Sequence, residues 1–165
     1  MVWWPFGPYM DYARKAVTET VPPCCCRTRR QGDMQFMNEV SDAELLRVIK
    51  DFLEMGHVDN IVAMFYRESR YFEWTGAILD DKRFAVRLGV SVLFEELQAR
   101  QCASLYLAVP SLSTLLSSED PLLRGEALSV LAIINDQSLR DQALTLRNDK
   151  DSQVREIAED VLASI

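Results

Sequence analysis

The sequence has one histidine, six glycines, six prolines and no long apolar run. Apolar and polar residues nowhere alternate as they do along a half-buried strand. Each absence removes a class of protein. Crossing a bilayer takes roughly eighteen or more consecutive apolar residues, and no stretch reaches that length. The aromatic start, Met1 to Tyr9, lacks the basic flank and long apolar centre of a secretory signal, so a cytoplasmic address is the expectation. The missing period of two argues against a sheet. The lone His57, beside Gly56, has no serine, cysteine or acid at a spacing that suggests a catalytic triad.

Positive charge is also short, with 18 Lys and Arg against 25 Asp and Glu for a net charge of −7. Residues 1–33 carry +2 and the remainder −9. Phosphate backbones are repelled by such a field, so nucleic acid is not an expected partner. The 165 residues, 48% hydrophobic and 26% charged, suffice for one folded domain of ordinary composition.

Four cysteines are too few and too clustered for a disulfide framework, because Cys24, Cys25 and Cys26 are adjacent. Neighbouring α-carbons lie about 3.8 Å apart, short of the roughly 4.4 to 6.8 Å that a disulfide spans. As metal ligands the three lack the spaced pairs zinc prefers, and Cys102 and His57 are the other candidates. Arg27, Arg29 and Arg30 would favour thiolates and keep a redox or metal reading open. Acylation beside basic residues is a further option, and an irregular linker with incidental cysteines is the preferred one.

From Met34 onward the dominant period is helical. Ser41-Asp42-Ala43-Glu44 has the form of a capping box. Behind it Leu45, Val48, Ile49, Phe52 and Leu53 share one face, and Gly56 stands where a left-handed cap is wanted. Segments near 58–66 and 71–79 repeat the pattern, with Ile61, Val62, Phe65 and Tyr66 and then Phe72, Trp74, Ile78 and Leu79 as their apolar positions.

Asp120-Pro121-Leu122-Leu123-Arg124 and Asp151-Ser152-Gln153-Val154-Arg155 repeat one chemistry 31 residues apart. Ala127, Val130 and Leu131 then align with Ala158, Val161 and Leu162. Arg87 begins a weaker copy 37 residues upstream of Arg124, with Arg83 where the aspartate belongs. A repeat of this period marks stacked supersecondary units. In this motif the aspartate caps the second helix, the proline of the 120–124 copy suits its first turn, and the arginine is placed to bond a neighbouring repeat.

The segments Val109-Pro110-Ser111-Leu112-Ser113-Thr114-Leu115-Leu116, Glu119 to Arg124, Ala127-Leu128 and Val130-Leu131 together resemble a HEAT repeat. The likeness runs from about Asp81 to Ile165. It implies an all-α, right-handed solenoid of about four antiparallel helix pairs, near 41–68, 69–99, 102–135 and 137–165. Residues 34–165 form the repeat domain, and residues 1–33 an aromatic, cysteine-containing and partly irregular arm. Pro5 and Pro8 forbid a regular helix across Trp3, Trp4, Phe6 and Tyr9, which either cap the first pair or anchor a partner.

A solenoid offers a broad surface without built-in chemistry, so the function expected is a protein-binding scaffold facing a protein partner, one with a basic surface suiting its charge. No catalytic residue and no cofactor is assigned. HEAT-like enzymes, among them base-excising DNA glycosylases and bilin-attaching lyases, supply the alternative, and a metal or redox module at Cys24, Cys25 and Cys26 a third. Asp80-Asp81, Glu95-Glu96, Glu119-Asp120 and Glu159-Asp160 are candidates to line a groove for a basic partner.

Overall fold

Short polar side chains start several helices, and left-handed residues stop them. The computed structural model describes residues 41–165, in which α-helices and short 3-10 turns are the regular elements and no strand occurs among the described residues. The helices are α1 (Asp42–Glu54), α2 (Val58–Arg67), α3 (Thr75–Leu79), α4 (Phe84–Ala99), α5 (Val109–Leu115), α6 (Pro121–Ile134), α7 (Leu139–Leu146) and α8 (Ser152–Ser164). Among the described residues, none is long and apolar enough to cross a membrane.

Ser41 Oγ accepts the Glu44 amide at 3.2 Å, and Asp120 Oδ1 accepts the Leu122 amide at 2.9 Å. Asp151 Oδ1 takes two amides, Gln153 at 2.8 Å and Val154 at 3.3 Å. Each bond satisfies a donor that the first turn of a helix leaves unpaired. Pro121 opens α6, where a missing N–H costs nothing.

At the end of α1, Gly56 has φ 77°, and the amides of Gly56 and His57 donate to Leu53 and Phe52 at 3.0 and 2.9 Å. The same pair of bonds closes α4, from Gln101 to Gln98 at 2.9 Å and from Cys102 to Leu97 at 3.0 Å. There the left-handed position is filled by glutamine, at φ 54°. Its Cβ is crowded in that conformation and glycine's absence of one is not. Gln101→Gly is therefore expected to stabilise the fold by about 0.5 to 1 kcal/mol, after the entropy glycine adds to the unfolded chain. It should raise the urea midpoint at unchanged m-value, and a lowered midpoint would refute the reading.

Consecutive helices pack as α1 with α2, α3 with α4, α5 with α6 and α7 with α8. Across these pairs α6 touches α4 on one side and α8 on the other, while α4 also lies against α1 and α2. α3 and α5 approach closely at Gly76. A Cβ on Gly76 would sit 2.7 Å from the Ser111 carbonyl oxygen, so that position admits no side chain. The core runs through all the helices, with Phe65, Phe72 and Phe94 among its largest buried side chains.

Several expectations are corrected in detail. Residues 71–79 are not one α-helix, because a 3-10 helix, Ser69–Trp74, leads into the short α3. The Thr75 hydroxyl donates to the Phe72 carbonyl at 2.8 Å at that junction, which holds the tighter turn. Tyr66 is 41% exposed rather than buried, since its hydroxyl reaches out to the Arg100 carbonyl at 3.2 Å. Val48 is also exposed, and Leu162 is half-buried where its counterpart Leu131 is buried.

Candidate protein-binding surface

Three arginines hold the second helix of successive pairs by one recurring arrangement. Nη1 of Arg87, Arg124 and Arg155 donates to the carbonyl six residues earlier, Asp81, Ser118 and Asp149, at 2.9, 2.8 and 2.8 Å. Each bond ties the helix to the turn that precedes it. Two of these arginines also reach onward: Arg87 Nε donates to Glu126 at 3.0 Å, and Arg124 Nε and Nη2 grip Asp149 at 2.8 and 2.6 Å. The Arg124–Asp149 pair is the fork-to-fork geometry that suits guanidinium and carboxylate.

Asp120, Pro121 and Asp151 thus sit at helix starts, while Arg124 and Arg155 hold turns. Sequence reasoning missed Asp149. Its position, two residues before the cap, has a counterpart in each copy: Asp81, Ser118 and Asp149 accept the amides of Arg83, Asp120 and Asp151 at 2.9, 3.2 and 2.8 Å. These positions are separated by 37 and 31 residues, as the arginines are, and that shared spacing is the signal that could have found them.

Charge in this framework is largely committed. Arg124 holds the Asp149 carboxyl below its usual range. Arg83 does the same to Asp81, with Lys50 adding to it, and also binds Asp51 and Glu54 of α1 at 2.8 and 2.6 Å. Burial pushes Glu126 up against the pull of Arg87. Arg83 therefore serves as a clamp on α1 in the place where the other copies have a capping aspartate.

The arginines and Gly89 fix how α4 is turned. A Cβ on Gly89 would lie 3.0 Å from Leu53 Cβ and 3.1 Å from the Leu53 carbonyl, so α4 sits tight on α1 there. Val86, Val90, Leu93, Phe94 and Leu97 are buried on the inward side. The outward side is apolar as well. Phe84, Leu88 and Val92, spaced by four residues, are 65, 45 and 37% exposed, and Ala85 and Ala99 are exposed with them. Along this strip Glu95 is the ionisable residue, while Arg87 at its edge places its guanidinium 6.0 Å from the centre of the Phe84 ring. Leu122, one turn before Glu126 on α6, is 50% exposed. Among the described residues nothing covers this outward apolar strip, an exposure of the kind that marks interaction surfaces.

The other residues singled out in the sequence are scattered or out of view. Trp3, Trp4, Phe6, Tyr9, Cys24, Cys25 and Cys26 lie outside the described residues. His57 is exposed ahead of α2, its ring 5.8 Å from that of Phe52, and Cys102 is a half-buried free thiol just beyond α4. No cluster of three potential metal ligands occurs among the described residues. The acidic doublets do not act as units: Asp81 and Asp120 bind turns, Glu96 pairs with Arg100, and Glu95, Glu159 and Asp160 are exposed. No family model matches this chain, and no curated protein or solved structure matches it.

Proposed function

We propose that this chain is a protein-binding scaffold, a HEAT-like right-handed solenoid of four helix pairs that receives an amphipathic helix of a protein partner. The observation that carries it is the exposed strip Phe84, Leu88 and Val92 on α4. Side chains at this spacing match the apolar repeat of a second helix laid alongside, the usual form of helix-in-groove recognition. The −9 charge of residues 34–165, with Glu95 in the strip and Glu96 at its edge, favours a partner helix flanked by basic residues. The sequence of contacts α4 to α6 to α8 and the recurring arginines support the repeat reading.

The test is a double variant, Phe84→Asp with Leu88→Asp. Phe84 is 65% and Leu88 45% exposed, so the fold should keep its stability to within about 1 kcal/mol. Two carboxylates in an apolar contact should lower partner affinity at least tenfold, because each would be desolvated without a counter-charge. Proteins recovered by affinity from the source cell with the wild type should be lost with the variant. An unchanged set of partners would end the reading.

A further inference from the structure

The 3-10 helix Ser69–Trp74 meets a second one, Leu105–Ala108, which leads into α5. An open cavity of about 420 Å³ lies there, lined by Glu73, Tyr106, Leu107, Pro110 and Ser111. Tyr106 is 60% exposed, an unusual setting for a large aromatic side chain with no ring partner among the described residues. Glu73 is exposed and forms no ion pair among the described residues. The Ser111 hydroxyl is already committed, accepting from the Gly76 amide at 3.2 Å and donating to the Ala108 carbonyl at 3.0 Å. Among the described residues the cavity thus offers one unpaired carboxylate, one unstacked aromatic face and apolar walls from Leu107 and Pro110.

The same turn shows what such a set holds. Arg70 lies with its guanidinium 5.2 Å from the centre of the Tyr71 ring and 5.3 Å from that of Trp74. It is bound by Glu68 at 2.7 Å and Asp42 at 2.9 Å. Aromatic faces and carboxylates there hold the chain's own half-exposed arginine; beside them, Glu73 and Tyr106 present the same chemistry with no cation between them among the described residues. We infer that the cavity is a receptor for an arginine side chain of a protein partner, its guanidinium stacked on Tyr106 and paired with Glu73, its methylenes against Leu107 and Pro110. Arginine is favoured over lysine because a planar guanidinium both stacks on a ring and forks onto a carboxylate. The site is separate from the α4 strip and stands or falls without it.

The test uses the full chain, isotopically labelled for amide spectra, and two probes: acetylated Gly-Gly-Arg-Gly-Gly amide, and the same peptide with neutral citrulline for arginine. The arginine peptide should produce saturable shifts at Glu73, Tyr106, Leu107 and Ser111, and the citrulline peptide should not. Glu73→Gln should weaken binding roughly fivefold, the upper end for an exposed ion pair. Tyr106→Leu keeps an apolar wall, removes the ring face and should weaken it roughly two- to fivefold. The Phe84→Asp, Leu88→Asp variant should bind the peptide as the wild type does. Equal shifts from both peptides, no saturable shift in this group, or wild-type affinity in both cavity variants would overturn the assignment.

Discussion

Replacing Arg124 by methionine is expected to destabilise the fold by about 3 kcal/mol, a loss read from the urea midpoint. Methionine keeps much of the volume and the apolar stem, so packing is nearly conserved. What it removes is the set of donors. Asp149, with its side chain 8% exposed, would lose both of its Arg124 bonds, and the carbonyls of Ser118 and Glu119 would lose theirs. An unpaired buried carboxylate is more costly than an absent pair is beneficial, hence the size of the effect. The value belongs near the lower end for a buried pair because Arg124 and Asp149 line an open groove. The double variant Arg124→Met, Asp149→Leu should recover much of the loss. If the single variant costs below about 1 kcal/mol, the pair is not holding the α5–α6 and α7–α8 helices together.

The same pair sets a pH dependence. Asp149 has a folded-state pKa below its ordinary 3.8, so its contribution is complete above that value and disappears as pH falls through the folded pKa. Asp81 acts in the same direction. Glu126 acts in the opposite one: its raised pKa favours the folded state at low pH, a gain lost as pH rises through that pKa. Asp149→Asn should therefore flatten part of the acid limb below about pH 4 while leaving the slope above it unchanged.

Much of the helical layout was legible because its punctuation is local. Ser41, Asp120, Pro121 and Asp151 each act within one turn, and the Gly56 stop needs only its own backbone. The 3-10 helix at Ser69–Trp74 was not legible: over six residues, periods of 3.0 and 3.6 place nearly the same side chains on one face. Gln101 in a left-handed cap defies the residue preference from which such caps are read. The proposed binding surfaces were hidden for a different reason. Apolar residues of α4 extend beyond one stripe, but which of them stay uncovered depends on where α1, α2 and α6 pack. Likewise Glu73 and Tyr106 are brought to one cavity by the meeting of two 3-10 helices, an event with no local signature. The arm residues Trp3, Trp4, Phe6 and Tyr9 drew attention by composition, and they lie outside the described residues.

Phe72→Ala is expected to destabilise the fold by about 3 to 5 kcal/mol, a large part of the roughly 5 to 15 kcal/mol that such domains possess. Phe72 is fully buried, with its ring edge-on to Phe65 of α2 at 4.9 Å and to Phe94 of α4 at 6.3 Å. Alanine would leave a cavity between three segments whose backbones are held by other contacts, including the Gly76–Ser111 approach, so collapse around it is limited. Where the loss is felt bears on the proposed solenoid. In a stack each unit is stabilised chiefly by its neighbours, and the end unit opens at a cost set by its own interface. The main contacts of α8 are with α6 and α7, none of which holds Phe72. Hydrogen exchange in the variant should therefore quicken strongly in α2, α3 and α4, while the amides of α8 that open by local fraying keep their wild-type rates. Equal acceleration from α1 to α8 would mean that the described residues unfold as one cooperative core, and would count against a stack of separable pairs.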